Sequence, residues 1–84
     1  MTKVWYIPCN TEVKDEVIEI EPTLNNLQTL VGGYIEIIPI SKKQSLVVNE
    51  EGLLLNLPRN NLVTALTNRN IVGNVVVIDN KDLN

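Results

Sequence analysis

The sequence predicts an α+β fold: a small, mainly antiparallel sheet of five to six strands carrying two short helices. Leucines and a valine recur at helical spacing over Leu24–Val31, and Gly32 follows where a helix takes a left-handed cap. Short runs rich in Val and Ile recur along the rest of the chain, bounded by Pro, Gly and Asn. At 84 residues and 9.4 kDa there is room for one core, so residues 1–84 are expected to form a single domain.

Val4–Ile7 reads as a strand that Pro8 ends or places at an edge. Asn10–Asp15 is a polar turn. Glu16–Glu21 returns as a second strand, with Ile18 and Ile20 on the face opposite Glu19 and Glu21, and the two make a hairpin. Trp5 and Tyr6 alternate faces, so one is expected in the core and the other at the surface. Pro22 and Thr23 precede the first helix, where the Thr23 hydroxyl can accept from a free amide of the first turn.

Tyr34–Ile40 is the next strand, with Tyr34, Glu36 and Ile38 on one face and Ile35, Ile37 and Pro39 on the other. Lys42 and Lys43 tip a solvated turn, Leu46–Asn49 is a strand, and Gly52 supplies the positive φ of a tight turn. Leu53–Leu57 reads as a returning strand, which makes 34–57 a three-stranded meander that Pro58 breaks. Asn60 or Asn61 can cap a second helix with Leu62, Ala65 and Leu66 on its inner face. Val75–Ile78 lacks polar alternation, which predicts a strand covered on both faces. The tail from Asn80 is polar and expected to fray. The expected core is Leu24, Leu27, Leu30, Ile35, Ile37, Val47, Leu62, Leu66, Val75 and Val77. Phe is absent, and a core this small, with no disulfide or metal ligand set to support it, favours a homo-oligomer.

Composition excludes several classes of function. A formal net charge of -3 argues against DNA or RNA as a partner, because non-specific binding needs a basic field. The absence of His removes His-based triads and metal sites, and catalytic residues, cofactors and metals are not expected. Cys9 is the only cysteine, so no intramolecular disulfide forms and the residue reads as a bystander thiol. No apolar run approaches the roughly 20 residues of a membrane span, and no signal-peptide pattern opens the chain. The expected location is the cytoplasm.

Six residues are candidates for ligand binding: Tyr34, Glu36, Asn49, Arg59, Asn60 and Asn61. Arg59 with Asn60 and Asn61 sets a guanidinium and two amides at a predicted helix start, which suits an anion. The same residues serve equally as a proline stop followed by a cap. Glu36, mid-strand between Ile35 and Ile37, either faces water or accepts from a hydroxyl or amine of a ligand. Tyr34 or Trp5 could stack on a base. Asn49 opens the Asn49-Glu50-Glu51-Gly52 turn, whose carboxylates are expected to be solvated.

Four blocks carry a resemblance: Leu27-Gln28-x-Leu30-Val31-Gly32-Gly33-Tyr34-Ile35-Glu36, Asn49-Glu50-Glu51-Gly52, Leu57-Pro58-x-Asn60, and Ile71-x-Gly73-x-Val75-Val76-Val77. In order and spacing the chain resembles the family called domain of unknown function 3846, common in bacteriophages, plasmids and their hosts. The likeness runs from the first strand to the last, and the chain is shorter at its C-terminus than many members. It implies a small cytosolic protein of phage type, in the host cell cytosol if phage-encoded.

The expected function is that of a non-enzymatic anti-defence protein that binds and sequesters a small nucleotide-derived immune signal. An oligomer would place the pocket between subunits. In that picture Arg59 holds a phosphate, Asn60 and Asn61 donate amide hydrogens, and Glu36 reads a hydroxyl or amine. The alternative is a protein-binding inhibitor or adaptor acting on a host protein through the acidic run Glu12, Asp15, Glu16, Glu19 and Glu21.

Overall fold

The computed structural model describes residues 1–83. Five strands alternate with two helices: β1 (Thr2–Ile7), β2 (Glu16–Ile20), α1 (Leu24–Val31), β3 (Ile35–Pro39), β4 (Gln44–Asn49), α2 (Asn61–Thr67) and β5 (Val75–Asp79), followed by a 3₁₀ turn at Asn80–Asp82. The strands form one antiparallel sheet in the order β2-β1-β5-β4-β3, an α+β fold. The central strand is β5, and its run of valines is buried on both sides as the missing polar alternation required.

Each face of the sheet carries its own core. On one, Ile7, Leu46, Val48, Val75 and Val77 pack beneath Val63 of α2 and Ile71. On the other, Val4, Val47, Val76 and Ile78 pack beneath Leu27 and Val31 of α1. Trp5 joins the first and Tyr6 the second, both half-buried, so neither is the surface residue that alternation suggested. The two edges are guarded: β2 alternates Glu16 and Glu19 with apolar residues, and β3 ends at Pro39, both of which discourage pairing with another chain.

The helix α1 begins and ends where its sequence requires. Thr23 Oγ1 accepts from the Asn26 N–H at 3.1 Å, and Gly32 closes the helix at φ 80°. A left-handed residue there costs glycine nothing and would cost an L side chain about 1–2 kcal/mol.

Further expectations are corrected. Gly52 does not take a positive φ; the glycines that do are Gly32 and Gly73. Leu53–Leu57 is not a strand. Its backbone bonds are local, from Leu55 N–H to Glu51 C=O, Asn56 N–H to Leu53 C=O and Leu57 N–H to Gly52 C=O, and Asn56 is left-handed at φ 53°. The reason is topological: β4 is flanked by β3 and β5, so no sheet edge remains for a third strand of the meander. Leucine also lacks the β-branch that favours extended backbone.

The inner face of α2 is not the one expected either. Val63 is 1% exposed, whereas Leu66 is 59% exposed and Leu62 also reaches solvent. Asn60 sets that phase. Its Oδ1 accepts from Val63 N–H at 3.2 Å, while Nδ2 donates to Ile7 C=O at 2.9 Å and Gly73 C=O at 3.0 Å. Fixing the cap to the sheet turns Val63 downward and Leu62 and Leu66 out. Leu24 and Ile37 are likewise at the surface.

Lastly, residues 80–83 are ordered by packing rather than frayed: Asn80–Asp82 form the 3₁₀ turn and Leu83 packs on the second core. Asn84, at the end of that tail, lies outside the described residues.

Two measurements check this account. Asn60→Ala leaves two buried carbonyls without a donor and removes a helix cap, and is expected to cost about 2–4 kcal/mol in denaturant unfolding. Asn61→Ala, on the exposed neighbour, is expected to stay within about 0.5 kcal/mol. The second concerns Tyr6, whose phenol is held above its ordinary value of 10.0 by burial and then by negative charge at Cys9, with a hydrogen bond from the Asn74 amide opposing. The unfolded chain therefore ionises first: this contribution is complete below pH 10.0 and is lost as pH rises through the higher folded value. Stability measured through that alkaline window should fall, and Tyr6→Phe should flatten the fall.

Candidate functional site

The α2 side of the sheet is covered unevenly. A seven-residue helix cannot roof five strands, so hollows remain on either side of it. The larger opens between β3, β4 and the loop 50–56, with a volume of about 360 Å³. Ile38, Val48 and Ile71 give it an apolar lining, and Glu36 and Glu50 bring carboxylates. No basic side chain lines it, so a phosphate placed there would face two negative groups. An apolar body carrying an amine or guanidinium suits it instead.

The loop beside this hollow exposes its apolar residues. Leu53, Leu54 and Leu55 are 70%, 83% and 56% exposed, and Tyr34, across the turn, is 65% exposed. The turn itself is rigidly made. Asn49 Oδ1 accepts from Glu51 N–H at 2.8 Å, Glu50 N–H donates to Tyr34 C=O at 2.8 Å, and Gly52 packs so closely that a Cβ would lie 2.8 Å from Val72. The backbone is thus pinned while the leucine side chains point away from the core.

The six sequence candidates divide among three places. Glu36 and Asn49 line the hollow just described. Asn49 is buried, however, and its Nδ2 donates to Val31 C=O at 3.2 Å, so its amide joins α1 to β4. Asn60 and Asn61 line a second hollow of about 290 Å³ beside Cys9, Lys14 and Asp15. There Asn60 has both amide hydrogens committed to the fold, whereas Asn61 is exposed. Tyr34 and Arg59 line neither hollow, although both are exposed; Arg59 pairs its backbone with Val72. The structure therefore does not bring the guanidinium, the amides and Glu36 around one ligand.

The acidic run is exposed throughout, on the β1–β2 loop and the edge strand β2, and Asp15 accepts from Trp5 Nε1 at 2.7 Å. Among the described residues no group of three or more His, Cys, Asp or Glu gathers where it could hold a metal ion, and no helix is long and apolar enough to cross a membrane.

Two features went unread in the sequence. Hydrophobicity alone reads Leu53–Leu57 as a strand; four leucines between Gly52 and Pro58, with no β-branched residue among them, are the signal against it. The other is a third hollow of about 350 Å³, where Lys81 joins Lys42 and Lys43 beside Asp79 and Asn80. Nothing in the spacing of 42, 43 and 81 announces that meeting.

No curated protein and no solved structure matches the chain. A family described as "Domain of unknown function (DUF3846)" matches residues 3–83, nearly the whole length, and the chain belongs to that family.

Proposed function

We propose that this protein works by binding rather than by chemistry, and that its principal partner is another polypeptide, docked on the leucine loop and the acidic-lined hollow beside it. The observation that carries this is the exposure of Leu53, Leu54 and Leu55 together, next to exposed Tyr34, on a hydrogen-bonded turn. Isolated surface leucines are ordinary, whereas a contiguous exposed apolar patch marks a site of interaction. Burying each against a partner is worth about 1.5–3 kcal/mol. Glu36, Glu50 and Glu51 set the partner's chemistry: an apolar segment carrying Lys or Arg.

Sequestration of a nucleotide-derived signal, as a phage-type anti-defence protein, stands as a second proposal. Its specific support is the lysine-lined hollow, since the hollow with Glu36 is wrongly charged for phosphate.

The docking proposal is tested with a triple variant, Leu53→Ser, Leu54→Ser and Leu55→Ser. These side chains lie outside both cores, so the variant should keep the wild-type melting temperature to within a few degrees. A partner recovered by affinity capture and then purified should bind the wild type, and bind the variant at least about 100-fold more weakly. Equal affinity for both proteins would refute docking at this loop. Light scattering on the same pair shows whether the occupant is a second copy, in which case the variant alone is monomeric.

A further inference from the structure

The hollow opposite the leucine loop has the reverse chemistry. Lys42 and Lys43 lie on the turn between β3 and β4, and Lys81 lies on the 3₁₀ turn after β5. We propose that this hollow binds a phosphorylated small molecule, with Lys42, Lys43 and Lys81 as its ligands. It is a site separate from the leucine loop and stands without the docking proposal; of the two functions above, it bears on the second.

The way the turn is held supports this. Asn80 clamps it with its backbone N–H to Lys43 C=O at 2.7 Å and its Nδ2 to Lys42 C=O at 3.0 Å and Ser41 C=O at 3.4 Å. The Asn80 Oδ1 accepts from Ser45 Oγ, and Ser41 Oγ accepts from the N–H groups of Lys43 and Gln44 at 3.2 and 3.0 Å. Where the clamp touches residues 42 and 43 it touches their backbone alone. Any polar pair would satisfy it, so the clamp does not explain why both side chains are lysine.

Charge is concentrated there against the trend of the molecule. The chain carries Lys and Arg at seven positions for a net charge of -3, yet three ammonium groups share this one hollow. The negative group lining it is Asp79, whose Oδ1 accepts from Gln44 Nε2 at 3.3 Å; Asp82 follows Lys81 on the same turn. Like charges held near one another repel, and a bound polyanion removes that repulsion. At about 350 Å³ the hollow is at the small end for organic ligands, which fits a diphosphate better than a large cofactor.

The test uses the full chain with pyrophosphate, inorganic phosphate and ATP as probes, followed by backbone amide shifts and titration calorimetry. Saturable shifts confined to 41–45 and 79–83 are expected, with pyrophosphate binding more tightly than phosphate. Lys42→Glu with Lys43→Glu should weaken pyrophosphate by about tenfold or more, while Lys14→Glu with Arg69→Glu, the same change in net charge at residues outside the hollow, should leave it within about twofold. Equal weakening by both pairs, or no localised shift at millimolar pyrophosphate, would overturn the site. Given a working site, ATP binding no tighter than pyrophosphate supports a phosphate subsite and counts against the nucleotide function, so the two fail separately.

Discussion

The arrangement depends on one buried amide. Asn60 is 1% exposed, and its side chain reaches three separate parts of the chain: Ile7 at the end of β1, Gly73 on the approach to β5, and the first turn of α2. Its own N–H adds a fourth, to Ile71 C=O at 2.8 Å. A neutral amide can do this because it donates and accepts without carrying charge into an apolar core. Everything on that face of the sheet follows, including the turning of Val63 inward and the gaps left on either side of the short helix.

Asn60 is the extreme case of a habit. Asn49 joins the end of α1 to the 50–52 turn, Asn74 joins Cys9 N–H to Leu30 C=O, and Asn80 joins β5 to the 41–43 turn. Valine and isoleucine fill most of the space between sheet and helix but are short, and with no Phe, Trp5 and Tyr6 are the aromatic side chains packed on the cores. Bridging from one element to the next falls to amides. Among the described residues no buried side-chain nitrogen or oxygen lacks a partner, so the cost of burying these groups is met by hydrogen bonds made within the fold.

That habit explains what the sequence could and could not disclose. Helix α1, its Thr23 and Gly32 caps, the first hairpin and the doubly covered β5 were legible because each depends on neighbours within a few residues or on a run of one chemistry. The phase of α2 was not, since Ile7 and Gly73, the partners that fix it, are remote from Asn60 in the chain. Leu53–Leu57 failed for a related reason: whether β4 has a free edge is a property of the whole sheet. Among the candidate site residues, Asn49 and Asn60 looked identical to Asn61 in sequence. A string of letters does not record which amides are already committed.

The hairpin β3–β4 ends in opposite chemistries. Glu36 and Glu50 stand at one end with the leucine loop, and Lys42 and Lys43 stand at the other. A strand of five or six residues separates them by roughly 17–20 Å, about twice the screening length of roughly 8 Å at physiological salt. At that separation neither cluster feels much of the other, and a net charge of -3 describes neither. The acidic balance of the whole chain speaks against a long polyanion such as nucleic acid, which would have to cross both ends. It does not bar a compact phosphate from the lysine end or a basic segment from the leucine end. Because a paired hairpin lies between them, a ligand at one end would not crowd a ligand at the other.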